Sequence, residues 1–510
     1  MKEPLILTLD AGTTGIKCSA FTKDGMARFS CVEGYKTYYL AAGWAQQKPE
    51  EQLQAAIKAI SFTLAHVHAE DICALVFTGT MNGCIAVDQA GRALYDNIIH
   101  SDVRTERQTA EIAQRVPHEQ YYRTTGNRID VHSGLPKYMW LREHEPEIYK
   151  GTAKFVNIKD YLYGHFTGCH GQTDRSDASL CNCLDIQSGD WAYDILRETG
   201  IDTTKMPHLR QSTDVIGTLC SEYARLTGLK EGLPVAIGAG DGACAAHGAR
   251  DHLPGSAYMN IGSSAWVSAM SNTPVLDAQM RLFSYFDADE TCYNVCGTVQ
   301  CGAAASNWAI ETLIYPGSRV EDCDFSALEA MANSVPAGAQ GVFFLPTLMG
   351  ERTPWWTAKA SGLLMGFTLY HGREHIARAV YEGVMQSLRH CGEILRENSL
   401  VFDKLMLIGG GAKSKLWAQM AASMFDVQIN VHQTPHEATS LGAALVAGVG
   451  IGMYKDFRDA AAKIRIAHSY HPNNADVQVY RRHFQAYRDL YPCAKQTFEK
   501  VFDYQQSLLG

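Results

Sequence analysis

The strongest constraint on the fold is a short unit that occurs twice. Residues 5–9 form an apolar run that enters Asp10-Ala11-Gly12-Thr13-Thr14-Gly15, and residues 16–21 return as a second apolar run before a turn at Lys23-Asp24-Gly25. About 250 residues later, residues 257–261 enter Gly262-Ser263-Ser264, and residues 265–270 return before a turn at Ser271-Asn272-Thr273-Pro274. Strand, glycine–hydroxyl loop, strand: a repeat of this kind implies two related halves. It also excludes two familiar phosphate sites, because a P-loop or dinucleotide fingerprint needs a helix after its glycines and here a strand follows. A hairpin loop of this composition is either an ordinary turn or a cradle that wraps phosphate oxygens with amides and hydroxyls. On the second reading Gly12, Thr13, Thr14 and Lys17 form one phosphate loop and Gly262, Ser263 and Ser264 the other. Asp10 is then placed to hold a hydrated divalent cation.

Three further stretches carry polar groups at the ends of apolar runs. Residues 404–408 lead into Gly409-Gly410-Gly411-Ala412-Lys413-Ser414, and residues 416–424 continue with helical spacing. Three glycines let a backbone lie flat against a nucleoside, or simply supply positive φ at a strand-to-helix turn. Gly410, Gly411, Lys413 and Ser414 are the candidate nucleoside contacts. Residues 74–77 lead into a polar turn that offers Thr80, Met81 and Asn82 to a ligand, at the strand end where α/β proteins place such contacts. Asp102 and Arg104 have the reach to bind hydroxyls, or they form a surface pair on a following helix. In the middle of the chain an apolar run reaches Gly240-Asp241-Gly242 and then a string of small residues. Asp is a favoured helix N-cap, so Asp241 either caps a helix or faces a cleft and takes a proton.

Charge and cysteine usage narrow the partners. There are 54 acidic and 45 basic residues and no basic tract, so neither nucleic acid nor an anionic membrane is expected. The longest apolar stretch, residues 442–454, is too short to span a bilayer, and no charged-then-apolar leader precedes the first strand. A soluble, cytoplasmic protein is expected, and a homodimer is compatible with it. The 15 cysteines are irregularly spaced, with Cys292, Cys296 and Cys301 forming no C-x-x-C, so reduced thiols are expected rather than a zinc site. Residues 126–134, 159–161 and 173–179 and the loop around Arg352 read as weaker ligand loops. Residues 437–446 read as a close-packed small-residue helix. Val477, Tyr480, Phe484, Tyr487 and Tyr491 read as a packing stripe on a terminal helix.

Strands and helices alternate along both halves, which predicts an α/β protein of two domains, residues 1–249 and 250–510. Phosphate loops, a nucleoside turn and one isolated carboxylate predict phosphoryl transfer to a hydroxyl. That chemistry needs positioning, charge neutralisation and a base for the attacking oxygen. In this company the base reading of Asp241 overtakes the capping one.

These motifs resemble those of the FGGY carbohydrate kinases. The resemblance rests on Asp10–Gly15, Gly240-Asp241-Gly242, Asn260–Ser264 and Gly409–Ser414, and continues in Gly43–Pro49, Lys159-Asp160-Tyr161, Gly350–Pro354 and Arg378–Gly383. It implies two ribonuclease H-like domains of the actin and hexokinase ATPase type flanking a central cleft. It also implies ATP and Mg2+ with a sugar or polyol between the domains, and Asp241 as base. The turn at residues 79–83 and the 350–354 loop look most like the branch that converts D-xylulose to D-xylulose 5-phosphate. Several positions depart from that branch: Thr80 stands where Gln is usual, Asn82 where His is usual, His100 where Trp is usual, and Gln46 where Glu is usual. Ribulose, a gluconate-like acid, a deoxy-ketose and a tetritol are therefore alternative acceptors. A nucleotide-driven binding protein of the actin and heat-shock-chaperone kind would have no use for the acceptor loops.

Overall fold

The computed structural model describes residues 3–253 and 255–508. Two mixed sheets carry the architecture, and they share one plan. In the first, Leu5–Ala11, Gly15–Thr22 and Ala27–Gly34 run as an antiparallel meander. Ile72–Gly79 then joins parallel to the first strand, and Pro234–Ala236 parallel to it in turn. In the second sheet Ala257–Ile261, Ala265–Ser271 and Tyr293–Val299 form the meander, and Lys404–Ile408 and Gln428–His432 are the parallel additions. The strand order within the sheet is therefore third, second, first, fourth, fifth in both halves. The expected hairpins are present at both glycine–hydroxyl loops.

Helices cover the sheets by burying one stripe each. Pro49–Leu64 begins with Pro49 and two acids, Glu50 and Glu51, in its first turn, which suits the missing amide and the positive end of the helix. It buries Leu53, Ala56, Ile57 and Ile60 against the first sheet. The long helix Arg373–Glu397 buries Ala377, Tyr381, Val384, Leu388 and Leu395 in the core of the second. The terminal helix Asn474–Leu508 packs by the expected aromatic stripe, and Arg378 donates to the Tyr480 hydroxyl at 2.8 Å while pairing with Glu382 at 2.7 Å.

Between the two sheets, the helices Asp241–His247 and Ala438–Gly450 meet almost backbone to backbone. A Cβ on Gly442 would sit 1.8 Å from the Cys244 carbonyl, and one on Gly248 1.8 Å from that of Ala438. The small residues around 438–447 are there to permit this approach. All 15 cysteines are free thiols, and among the described residues no helix is long and apolar enough to cross a membrane.

Candidate active site

The two hairpin loops and the Asp241 turn converge on a cavity of about 300 Å³ between the halves. Thr13 from the first loop, Ser264 from the second, Asp241, and the Thr80-Met81-Asn82 turn all line it. Backbone geometry explains the convergence. Thr78 Oγ1 donates to the Ala239 carbonyl at 2.8 Å, and a parallel bridge joins Gly79 to Gly240. Gly238, at φ 76°, lies so close to Phe77 that a Cβ would meet its carbonyl at 1.9 Å. The chain thus leaves the sheet at 79 and at 240 side by side.

Asp241 is the first residue of its helix and Gly240 is the N-cap, so the carboxylate does not cap. Burial, reinforced by the charge of Asp10, lifts its pKa to about 7. Asp10 is itself pushed up to about 6, chiefly by burial and partly by Glu437, against the opposing pull of Lys17. A buried chain of polar groups braces the turn from behind. Lys159 pairs with Asp160 at 2.5 Å and Asp174 at 2.9 Å, Asp174 accepts from Ser176, and Ser176 Oγ accepts from the Gly240 amide at 3.1 Å.

The acceptor side of the cavity was only partly visible in the sequence. Met81 is buried beneath Gly240, where it packs under the Asp241 turn. Asn82 adopts φ 67°, and its Oδ1 is buried without a hydrogen-bond partner among the described residues; so is His100 Nδ1. Burial, helped by Lys137 and Arg352, pulls His100 down to about 4, so the ring is neutral. His132 Nδ1 is held by Asp130 Oδ1 at 2.6 Å and its ring also lines the cavity. Lys137, fully buried, donates to the carbonyls of Asn82, Ile99 and His132 and so ties three loops together. Arg352 lines both this cavity and an adjoining one that Arg128 and Trp356 also line. Asp130 and His132 fall in the 126–134 stretch that the sequence marked as a weak ligand loop, while Lys137, on the helix Gly134–His144, carried no sequence signal.

Asp102 and Arg104 are not among the cavity's lining residues. Their side chains are wholly buried and pair at 2.7 Å, Asp102 accepts the Ala45 amide at 2.6 Å, and the guanidinium lies 4.0 Å from the Trp44 ring centre. The sequence reading offered hydroxyl contacts or a surface pair; the structure shows a core pair, because Trp44 and Trp140 roof the guanidinium over. Lys17, expected at the phosphates, spends its ammonium on the His436 carbonyl at 2.5 Å and lies 3.6 Å from Glu437.

A second cavity of about 320 Å³ opens at the glycine turn. Gly410, Gly411, Lys413 and Ser414 form one wall, as the sequence suggested; Ile310, Phe325 and Tyr381 supply apolar surface, and Ser306, Asn307 and Glu329 supply polar groups. Ser414 Oγ also caps the following helix by accepting the Trp417 amide at 3.0 Å. The helices that supply residues 303–310 and 325–329 carry no motif, so only the fold brings them here. An apolar slot with polar groups at its edge fits a purine nucleoside. The charge of Asp10 raises the pKa of Asp241, and Lys17, the cation beside Asp10, is already engaged by His436 and Glu437, so the Asp10 carboxylate suits a hard divalent ion with oxygen ligands.

Two sheets of the ribonuclease H-like, actin-type ATPase plan, an apolar slot at the glycine turn of one half and a carboxylate at the cleft fit a phosphotransferase of the carbohydrate kinase class. The chain belongs to the FGGY family of carbohydrate kinases: the N-terminal domain of that family matches residues 5–248 and its C-terminal domain residues 257–451. Among relatives, the xylulose kinase of Bacillus subtilis is 30% identical over 496 residues, covering 96% of this chain and 97% of that protein. The gluconokinase of the same organism is 26% identical, covering 99% of each. The ligand-bound xylulose kinase of Lactobacillus acidophilus superposes with a TM-score of 0.90 at 26% identity, covering 98% of this chain and 100% of that one.

Proposed function

We propose that the protein transfers the γ-phosphoryl group of Mg-ATP to a hydroxyl of D-xylulose, giving D-xylulose 5-phosphate, in the cytoplasm. The observation that carries the reading is the cavity in which Asp241 faces both phosphate hairpins and two orphaned polar atoms, Asn82 Oδ1 and His100 Nδ1. Those atoms await hydroxyl hydrogens, and a polyhydroxylated acceptor supplies them. Asp241 takes the proton of the attacking hydroxyl. The amides and hydroxyls of residues 12–14 and 262–264 hold the phosphates, and the 410–414 turn holds the nucleoside. Asp10 holds Mg2+, which when bound neutralises the charge that develops on the transferred group.

A second reading, a gluconate-like sugar acid, is favoured by Arg352 and Arg128, which have no carboxylate within ion-pair distance among the described residues and line the far end of the acceptor space. The test is ADP release with a panel of D-xylulose, ribulose, gluconate, deoxy-ketoses and tetritols. Saturable turnover with D-xylulose above the sugar-free rate supports the first reading. A saturable response to gluconate alone replaces it with the second, and no response to any sugar removes both.

A further inference from the structure

Behind the cleft, the chain leaving the Asp241–His247 helix meets the turn between Phe283–Phe286 and Tyr293–Val299 in a cluster that phosphoryl transfer does not use. His247 Nε2 hydrogen-bonds Asp287 Oδ1, and Arg250 pairs with Asp287 Oδ2. His252 Nε2 lies 2.8 Å from Asp289 Oδ2. The ligand-capable atoms of His252, Asp289 and Cys292 all lie within 4.8 Å of one another, and so do those of His247, His252 and Asp287.

We propose that this cluster binds one divalent transition-metal ion of the zinc class, through His252, Asp289 and Cys292, with the His247–Asp287 pair at the remaining position. The donor chemistry selects the class. Imidazole, carboxylate and thiolate together suit a borderline-soft ion, whereas Mg2+ and Ca2+ take oxygen. Within the His252–Asp289–Cys292 triad the geometry is nearly assembled: bonds of about 2.0–2.3 Å put tetrahedral donors about 3.3–3.7 Å apart, so atoms already inside 4.8 Å have at most about 1.5 Å to close. Asp289 is oriented for the task, since its Oδ1 accepts the Thr291 amide at 3.1 Å and hydroxyl at 2.8 Å, which leaves Oδ2 facing His252.

Charge balance points the same way. The Cys292 thiol donates to the Asp289 carbonyl at 3.2 Å; deprotonated on binding, it joins two carboxylates that face the Arg250 guanidinium and two neutral imidazoles, and a divalent ion offsets that excess. His252 and Asp289 side chains are 12% and 20% exposed, which gives the ion a path in, while Cys292 is buried behind them. Binding displaces the Cys292 thiol proton and any imidazolium protons to solvent, with no change of oxidation state. The ion would clip the segment joining the two halves onto the 287–292 turn. Irregular cysteine spacing hides such a site in sequence, because its ligands come from two segments and contribute one thiol.

The test uses the full-length protein, stripped with a chelator and titrated with Co2+ and then Zn2+. One equivalent of Co2+ should give a thiolate-to-metal charge-transfer band, displaced by Zn2+ and unaffected by Mg2+. In Cys292→Ser that band should vanish, and Zn2+ should bind at least about tenfold more weakly and no longer raise the melting temperature. Should Cys292→Ser not fold, His252→Gln, at the exposed edge, reads the same loss. Equal bands in wild type and variant, or no band in wild type, would overturn the proposal.

Discussion

The pKa of Asp241 offers the sharpest test of the site. In the unliganded protein burial and the Asp10 charge hold it near 7, so about half the molecules carry an ionised base at pH 7 and about one tenth at pH 6. Turnover with Mg-ATP limiting should therefore fall with unit slope below about pH 7. A cation at Asp10 reverses the local sign: positive charge favours the ionised carboxylate, so saturating Mg-ATP should move the acid limb to lower pH. Asp10→Asn should also lower the Asp241 pKa by removing its negative neighbour, although it weakens metal binding as well. Asp241→Asn should reduce turnover by about 10²–10⁴-fold, equivalent to about 3–5 kcal/mol of transition-state stabilisation. Mg-ATP affinity, read by calorimetry, should hold steady or tighten. The assay is coupled ADP release across pH 5.5–8.5 with whichever sugar saturates. Turnover of Asp241→Asn within tenfold of wild type, or an acid limb that survives the substitution, would refute the base assignment.

Other perturbations separate structural from ligand-facing groups. Arg104→Ala leaves the buried Asp102 carboxylate unpaired and should cost about 3–5 kcal/mol, seen as a lower melting temperature with the acceptor KM little changed. A large KM effect in protein that still melts like wild type would return the pair to the acceptor site. Asn82→Ala should raise the acceptor KM several-fold and leave the ATP KM alone. Glu351 is raised by burial to about 8, above its ordinary value near 4.5, so the folded state binds its proton more tightly than the unfolded one. Its stabilising contribution is present below about pH 4.5 and lost as pH rises to 8. Glu351→Gln should therefore melt progressively higher than wild type between those limits.

How much was legible in the sequence follows from which signals are local. Both hairpins, the glycine turn and the Asp241 turn were readable because each is a strand end with its own loop chemistry, and the repeat declared two related sheets. The acceptor wall was legible only in part. Arg128, Asp130 and His132 fall in the 126–134 stretch read as a weak ligand loop, whereas Lys137, on the helix Gly134–His144, carried no signal, and its buried ammonium ties the loops by donating to three separate carbonyls. The burial of Asp102 and Arg104 was hidden for the opposite reason. A charged pair in sequence reads as exposed, and only two tryptophans distant in the chain, Trp44 and Trp140, turn it into core.

The small-residue helix at 438–450 shows how packing becomes mechanism. Its glycine contact with the Asp241–His247 helix joins an element of the second half to the very element that carries the carboxylate. Core packing is too dense to deform smoothly, so any closing of the halves that carries one helix also carries the other. The same helix is N-capped by Glu437, which accepts from Ser19 and lies near Lys17 on the strand that follows the first glycine–hydroxyl loop. The first hairpin, the Asp241 turn and the second half are thus locked in register by contacts that need glycine at 248 and 442. Gly442→Ala should be severe for a one-carbon change: about 3 kcal/mol of strain, with turnover falling more than the melting temperature alone would suggest. If Gly442→Ala melted like wild type and kept its turnover, the two helices would have slack enough to part, and rigid coupling between them would be wrong.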